Sequence, residues 1–499
     1  MMIGSSLSNE PLDQSRVPFL ESLVEEKEKG KISFHMPGHK GTFASHSKLI
    51  ELLGSDPHPA DLVELNYNID YLHAPKGELI EAQNLAAAAY GADQTFFLIN
   101  GSTVGNIASI MSVVAPGQKI IISRASHRSV YTGLILSGAK PIYIESDYHP
   151  EINFPLAVCP ESVKNLLKEH PDVKAIHVTS PNYYGVMSNI SSICKIAHAH
   201  GIPLLVDEAH GSHLKFHDAL PESAVTLRAD IIIQSTHKTQ PALTQASMLH
   251  VNKNGLVDLS RVGEILSLLQ SSSPNSILLA SLDAARSQMA LHGYDLLTKT
   301  IQSAKEAREK IQSIPGFWCY GNDLIGFGAI SSFDPTKLII RVSDAGYTGF
   351  EAFQILQNEY KIDAEFADVK HIICSMSISD TDISVNNLLS ALKNMSINKG
   401  SNENFKFDRA PPLKGLPKMA LSPRDAFSVF HAETVPLNQA VGRILIDSII
   451  PYPPGVPLLV YGEIFEQRHL HYIHELIEAG SDFIGARDST LTTIRVVHN

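Results

Sequence analysis

Two short segments of the chain carry side chains that could do chemistry. VDEAHGSH places Asp207 at the end of an apolar run, and QSTHKTQ places Lys238 beside Ser235 and His237. The letters DEAH also occur in nucleotide-driven motors, which hold phosphates with a loop of the form G-x-x-x-x-G-K-[ST]. The sequence has no such loop, and its nearest glycine-rich segment, NGSTVGN, lacks the lysine. The motor interpretation is therefore disfavoured.

A metal site is the second interpretation of these histidines. Residues three and four positions apart lie on one helix face, where imidazoles could bind zinc. Two such groups are present: His210, His213 and His217, and separately His35 and His39. Gly211 and Gly38 interrupt the two segments, and no carboxylate or cysteine completes either set. We therefore expect no metal site.

A third interpretation accounts for both segments. A lysine beside a hydroxyl and an imidazole is suited to forming a Schiff base in a site that holds an anion. Pyridoxal phosphate needs such a lysine for its aldehyde, and Lys238 could supply it. Asp207 could keep the ring nitrogen protonated, and His127 could stack on the ring. Amides and hydroxyls suited to the phosphate precede a predicted helix at Gly101, Ser102 and Thr103.

Alternating helical and strand-like segments position these residues. The strands are short and apolar on both faces, which predicts an α/β domain with a mainly parallel, buried sheet. Ligands bind such sheets at the carboxyl ends of the strands, where Asp207 and Lys238 fall. The predicted strands are 94–100, 119–123, 140–145, 173–179, 202–207, 230–235 and 246–250, and the predicted helices include 78–91, 104–117, 190–201 and 303–313.

Eight segments, in order, resemble the Orn/Lys/Arg decarboxylases of the aminotransferase class (fold type I). The most specific are STHKTQPALTQASM (235–248) and YPPGVPLLVYGE (452–463). The others are FHMPGHKG, IDYLHAPKGELIEAQNLAAAAYGA, NGSTVGN, VTSPNYYGV, VDEAHGSH and SSSPNSILLASLDAAR. The resemblance extends from about residue 16 to the C-terminus. It implies an N-terminal arm (1–30), a large domain that binds pyridoxal phosphate (31–295), a smaller α/β domain (296–396), a linker (397–418) and a C-terminal decarboxylase domain (419–499).

The resemblance also implies a role for each site residue. Lys238 would bind the cofactor aldehyde, Asp207 the ring nitrogen, and His127 one ring face, with Ala209 beneath the ring. The family's phosphate ligands correspond to Gly101, Ser102, Thr103, Ser235 and His237. Family dimers share their active sites, and Ser272 or Ser273 would reach the phosphate of the neighbouring subunit.

The substrate side of the site is less well defined by the resemblance. Glu463 matches an acidic residue near the cationic end of the substrate, close to Tyr461 and His210. Several positions depart from the family pattern: Tyr461, His210, Asn182 and the pair Asn275 and Ser276. These departures leave arginine, lysine and ornithine open as substrates.

The implied reaction is decarboxylation of a basic amino acid. Loss of carbon dioxide would be followed by protonation of Cα by Lys238 or His237. HMPGHK begins at residue 35, which leaves no room for the additional N-terminal domain of larger members. The short form favours arginine, and we expect a homodimer or a multiple of it.

The sequence leaves two other functions open. An aminotransferase or lyase on the same fold is one, and Arg341 could then bind the substrate carboxylate. A catalytically idle regulator that kept the fold is the other. The intact set of Lys238, Asp207 and His127 argues against idleness.

Composition sets the remaining limits. Lys and Arg number 40 against 52 Asp and Glu, a formal balance of −12, which repels nucleic acid. The four cysteines are widely spaced and no C-x-x-C pair occurs, as expected in a reducing compartment. The first thirty residues lack the apolar core of a signal peptide, and no apolar run is long enough to span a membrane. We expect a soluble cytoplasmic enzyme.

Overall fold

The structure is a computed structural model of the 499-residue chain. It describes residues 12–41, 46–53, 60–62, 69–145, 147–149, 152, 154–398, 413, 415–452 and 455–498.

The large domain alternates helices with strands, as the apolar pattern predicts. Its helices are α1 (Pro18–Glu28), α2 (Ser47–Leu53), α3 (Glu78–Tyr90), α4 (Gly101–Val113), α5 (Arg128–Ser137), α6 (Pro160–Glu169), α7 (Ile190–Ala199), α8 (Thr236–Thr239), α9 (Leu259–Leu269) and the first half of α10 (Ser276–Gln312). Its strands are β1 (Gln94–Leu98), β2 (Lys119–Ser123), β3 (Lys140–Ile144), β4 (Ala175–Thr179), β5 (Val186–Met187), β6 (Leu204–Asp207), β7 (Ile231–Gln234) and β8 (Ser247–Val251).

A mainly parallel sheet forms the centre of this domain. In the described part of the chain its order is β1-β8-β7-β6-β4-β2-β3, and only β8 runs against its neighbours. Strands β6 and β7 are buried along their whole length, because helices cover both faces of the sheet. The predicted sheet is confirmed. Its carboxyl ends lie at one edge, which brings together the loops that follow β2, β6 and β7.

Helix α10 differs from the sequence prediction. The sequence predicts a separate helix over 303–313, whereas one helix of 37 residues begins at Ser276 and runs through this segment. Gly293 lies within it, and a single glycine does not end a helix that tertiary packing supports. A Cβ on Gly293 would lie 3.1 Å from the Cβ of Phe216, so the glycine allows close packing. The two domains therefore share a continuous helix.

The small domain is built on an antiparallel sheet. Its strands are β9 (Trp318–Tyr320), β10 (Ser332–Phe333), β11 (Lys337–Arg341), β12 (Phe366–Ala367) and β13 (His371–Ser375), with helices α11 (Gly349–Tyr360) and α12 (Asp382–Asn398). The described sheet has the order β12-β13-β11-β9. Strand β10 instead pairs with β5 of the large domain, which joins the two domains. Strand β11 thereby presents its first residue, Lys337, to the large domain.

The C-terminal region forms a third unit with its own apolar core. Its elements are helices α13 (Pro423–Phe427) and α14 (Gln467–Glu478) and strands β14 (Ala432–Pro436), β15 (Ile450–Tyr452), β16 (Asp482–Ile484) and β17 (Thr493–Val497). Phe465 and Ile473 are fully buried in this core. Most of the predicted linker, including residues 399–412, lies outside the described residues.

The predicted N-terminal arm is partly helical. Helix α1 buries Phe19 and Leu23. The carboxylate of Asp283 accepts a hydrogen bond of 3.0 Å from the backbone N–H of Phe19, which fixes α1 on α10. Among the described helices, none is long and apolar enough to cross a membrane.

Helix α4 packs so closely on the sheet that it requires a glycine. A Cβ on Gly105 would lie 2.8 Å from Cγ2 of Ile233 and 2.9 Å from Cδ1 of Leu98. We expect Gly105→Ala to lower the free energy of unfolding by about 1–2 kcal/mol, because overpacking outweighs the gain in helix propensity. Gly263→Ala in α9 is the matched control, since its Cβ would meet only Phe96 at 3.8 Å. Urea denaturation should show a lower midpoint for the first variant and an equal or higher one for the second; equal midpoints for both would contradict the packing argument.

Candidate active site

Three loops at the carboxyl edge of the sheet bring the predicted residues together. His127 follows β2, Asp207 ends β6, and Lys238 lies in the short helix α8 after β7. Helix α4 begins at Gly101 after β1 and directs its N-terminus to the same region, since its Ser102 contacts Ser235. A charge on Lys238 lowers the pKa of both His127 and Asp207, so Lys238 lies close enough to act on each of them.

Asp207 is the acid of this group, and its side chain is buried, with 2% exposed. Its Oδ2 accepts a hydrogen bond of 2.8 Å from Nδ2 of Asn106, and its Oδ1 accepts one of 3.2 Å from the backbone N–H of Ala209. Burial raises the pKa of Asp207, while the charge of Lys238 and the two donors oppose that rise. A cationic N–H placed against this carboxylate would stabilise its ionised form.

Asn106 holds Asp207 in position. Its amide also donates to Oγ of Ser129 over 3.0 Å, and its Oδ1 lies 3.4 Å from Nε2 of His177. All four side chains are buried. The carboxylate is therefore oriented by a fixed network and not by solvent.

His127 caps the helix that follows it. Its Nδ1 accepts a hydrogen bond of 3.2 Å from the backbone N–H of Ser129 at the start of α5. Burial lowers the pKa of His127 to about 4, and the charges of Lys238 and Arg128 add to this effect. The ring is therefore neutral near pH 7, which suits packing against another flat ring.

Buried hydroxyls surround the start of α4. Oγ of Ser102 lies 2.7 Å from Oγ of Ser235 and 3.2 Å from Oγ of Ser247. Gly101 has a φ of +70°, a conformation that favours glycine. The first amides of a helix have no partner within the helix and attract anions. This cluster can therefore hold a phosphate group.

Lys238 lines a cleft between the large and small domains. Its Nζ lies 3.1 Å from Nε2 of His210, which is 4% exposed. His237 is oriented by a contact of 2.8 Å between its Nδ1 and the backbone oxygen of Ala246. Burial lowers the pKa of His237 and of Lys238. The cleft side therefore offers an amine and an imidazole next to each other.

Other predicted residues lie away from this cluster in the described chain. Glu463 is fully buried in the C-terminal unit, where its Oε2 pairs with Nη2 of Arg124 at 3.0 Å. Tyr461 is half-buried and packs against Phe427. Neither contacts Lys238, so their substrate roles stay predictions. Arg124 lies three residues before His127, so the pair still borders the active-site loop.

The remaining predicted cofactor ligands differ in exposure. Ala209 is buried beside Asp207, and Thr103 is exposed at the start of α4. Ser272 and Ser273 are exposed in the loop before α10. Exposure leaves these serines accessible to a second subunit, and that role also stays a prediction.

The rival interpretations find less support in the side-chain contacts. Arg341 forms an ion pair of 2.7 Å with Asp344 and also contacts the hydroxyl of Tyr320. Both partners lie within the small domain. His213 pairs with Asp334 at 3.1 Å. No group of three metal-binding side chains occurs among the residues that the structure describes.

Several site residues escaped the sequence interpretation. Asn106 and Ser247 lie within quoted motifs, but their types do not distinguish them from structural residues. Lys337 and Glu365 come from the small domain and reach the site only through the tertiary fold. Glu208 has a structural role, because its carboxylate accepts hydrogen bonds from Ser223, Ala224 and Gln234.

Comparison with known families identifies the chain. The model of the Orn/Lys/Arg decarboxylase major domain matches residues 17–383, and that of the C-terminal domain matches residues 409–490. The chain belongs to the Orn/Lys/Arg decarboxylase family. The predicted resemblance is thereby confirmed.

Relatives named arginine decarboxylase are similar to the chain over nearly their whole length. The chain is 40% identical over 486 residues to a protein of Bacillus anthracis named arginine decarboxylase, covering 97% of this chain and 98% of that one. It is 38% identical to the arginine decarboxylase of Bacillus subtilis, covering 97% and 99%. The lysine decarboxylase LdcA of Pseudomonas aeruginosa is 24% identical, covering 90% and 74%.

Solved structures show the same fold. The lysine decarboxylase LdcF of Francisella novicida superposes with a TM-score of 0.83 at 20% identity, covering 96% of this chain and 81% of that one. The ureidoglycine-glyoxylate aminotransferase of Bacillus subtilis superposes with a TM-score of 0.52 at 13% identity, covering 67% and 88%. The family member described here therefore has the predicted aminotransferase-like fold.

Proposed function

We propose that this family member is an arginine decarboxylase that uses pyridoxal phosphate and releases agmatine and carbon dioxide. The observation that carries the proposal is the placement of Lys238, Asp207 and His127 around one site. The substrate assignment is supported by the relatives named arginine decarboxylase, which match the chain over 97% of its length.

The residues of the site fit the cofactor that the family implies. The ring nitrogen needs a buried carboxylate, and Asp207 has an oxygen, Oδ1, with one weak hydrogen bond. The phosphate needs donors, and Ser102, Ser235 and Ser247 form a buried hydroxyl cluster at a helix N-terminus. Pyridoxal phosphate supplies, when bound, an electron sink for the pair released as the bond between Cα and the carboxylate breaks.

The protein's own groups control the steps around that bond. Asp207 would keep a proton on the ring nitrogen, and Asn106 and Ala209 keep the carboxylate aligned for that task. Lys238 would be the residue that holds the aldehyde group of the cofactor. His237 donates its Nδ1 hydrogen to the backbone oxygen of Ala246, which leaves Nε2 to carry a proton toward Cα.

Acidic side chains favour a basic substrate. The cleft beside Lys238 is also lined by Asp363, Glu365 and Asp380. Carboxylates along an entry path attract a cationic amino acid and raise its local concentration. Lysine and ornithine share this charge, so the preference for arginine rests on the relatives.

We further propose that the active enzyme is a cytoplasmic homodimer with shared sites. The exposed serines Ser272 and Ser273 would complete the phosphate site of the neighbouring subunit. The reducing cytoplasm is supported by the four cysteines, each of which is a free thiol.

Decarboxylation of arginine gives the first test. Purified protein loaded with pyridoxal phosphate should release carbon dioxide from carboxyl-labelled arginine with a kcat/KM at least about 100-fold above that for lysine or ornithine. No keto acid should appear. Lys238→Arg keeps a long basic side chain but removes the reactive amine, and should lower activity at least about 1000-fold. Keto acid formation, or full activity of the variant, would contradict the proposal.

Mixed dimers test the shared site. Lys238→Ala and the double variant Ser272→Ala with Ser273→Ala should each be weakly active. After unfolding and joint refolding, half of the dimers are hybrids, and each hybrid has one site with Lys238 and both serines intact. Activity should then recover to about a quarter of the wild-type value. A mixture no more active than the double variant alone would show that the serines act within their own subunit or not at all.

A further inference from the structure

A second lysine reaches the active site from the small domain. Lys337 is the first residue of β11 and is only 1% exposed. Its aliphatic stem packs against Gly185 of the large domain, where an added Cβ would lie 2.7 Å from Cγ of Lys337. The side chain is therefore held at the boundary between the two domains, with its ammonium group directed to His210.

All three ammonium hydrogens of Lys337 have an acceptor. Nζ lies 2.9 Å from Oε2 of Glu365 and 3.3 Å from Nδ1 of His210, and it also contacts Oγ of Ser375. An ammonium group has three donors and no acceptor. Nδ1 of His210 must therefore accept, so the proton of the neutral ring lies on Nε2.

The other ring nitrogen of His210 faces Lys238. Its Nε2 lies 3.1 Å from Nζ of Lys238. If Nε2 carries the ring proton, it donates, and Nζ of Lys238 must accept with a free lone pair. An amine with a free lone pair is neutral. The series of contacts from Lys337 through His210 to Lys238 thus favours the neutral form of the active-site lysine.

One competing contact exists. Oε1 of Glu365 lies 3.4 Å from the same Nδ1 and could accept a proton from it. That contact lacks hydrogen-bond geometry, whereas the contact with Lys337 has it. Glu365 is in addition engaged by Lys337. The tautomer of His210 with a proton on Nε2 is therefore favoured as long as Lys337 is present.

We propose that Lys337 is a positioning residue that acts through His210 to hold Lys238 as a neutral amine. The proposal rests on the proposed function, in which Lys238 binds the cofactor aldehyde. The lone pair of the amine forms the bond to the aldehyde carbon, and the aldehyde oxygen leaves as water with the two amine protons. A protonated Lys238 has no lone pair for this step.

The charged surroundings agree with this assignment. Burial lowers the pKa of His210 well below its ordinary value, and the charge of Lys337 adds to that effect. The side chain of Lys238 is exposed to the cleft, and partial burial of its amine lowers its pKa. The titratable or charged groups near the pair include Asp207, Glu365, Lys337, Tyr183, His127, His213 and His237. Lys361, Asp363 and Asp380 line the same cleft.

Reactivity of Lys238 in cofactor-free protein measures the effect without any turnover. Only a neutral amine attacks acetic anhydride, so acetylation of the Lys238 peptide across pH, followed by mass spectrometry, gives the midpoint of its titration. In Lys337→Met, Nδ1 of His210 is free to donate to Glu365, Nε2 becomes an acceptor, and Lys238 is held protonated. The midpoint should rise by about one pH unit, which is a tenfold loss of reactivity below it. Lys337→Arg keeps a charged donor and should restore much of the wild-type midpoint.

The hydrogen-bonded contacts from Lys337 through His210 to Lys238 form a relay. A second set of variants, made in protein that carries His210→Phe, separates the effect of this relay from simple charge repulsion. Loss of the positive charge at Lys337 would also raise the midpoint through space. In His210→Phe the relay is absent, so Lys337→Met should then shift the midpoint by much less than in the wild-type background. An equal shift in both backgrounds, or no shift in either, would overturn the proposal.

Nitrogen NMR of the histidine rings tests the tautomer itself. With the signal of His210 assigned by its loss in His210→Phe, the cofactor-free wild type should show a proton on Nε2, and Lys337→Met should show it on Nδ1. A proton on Nδ1 in the wild type would overturn the proposal even if every variant folded poorly. Both experiments use cofactor-free protein. They can therefore disprove the relay while arginine decarboxylation is confirmed, and they can support the relay while arginine decarboxylation is disproved.

Discussion

The structure of the active site depends on one buried carboxylate, Asp207, held near the amine of Lys238. A carboxylate that is almost free of water is costly unless donors surround it. Asn106 and the backbone of Ala209 supply two of these donors. A buried carboxylate of this kind suits a protonated ring nitrogen, and it is the feature that most strongly supports the proposed pyridoxal phosphate.

The fold places these groups by a simple geometric rule. Parallel strands end at one edge, so residues that are distant in sequence meet there without long loops. The large domain thereby holds, on rigid elements, the residues that we propose to contact the cofactor ring and phosphate. The small domain adds Lys337 and Glu365 from the opposite side of the cleft, joined to the large domain by the continuous helix α10 and by the pairing of β5 with β10.

Sequence patterns predicted the sheet and its edge well, because doubly buried strands such as β2 and β7 consist of unbroken apolar runs. Lys238 and Asp207 were predictable because each follows such a run within a specific motif. Lys337 was not, since a lysine opening the strand KLIIRV has the pattern of a solvated strand end, and only tertiary packing buries it. The full length of α10 was not predictable, because Gly293 looks like a helix stop in the sequence and only tertiary packing carries the helix through it. Whether Glu463 acts on substrate also depends on contacts that no local pattern encodes.

Identification of the lysine that binds the cofactor tests the central claim most directly. Protein loaded with pyridoxal phosphate would be reduced with borohydride, which fixes the cofactor to the amine that holds it, and the modified peptide would be identified by mass spectrometry. The account predicts the modification on Lys238 alone, at one per chain. Modification of a different lysine, or no modification in fully loaded protein, would contradict it.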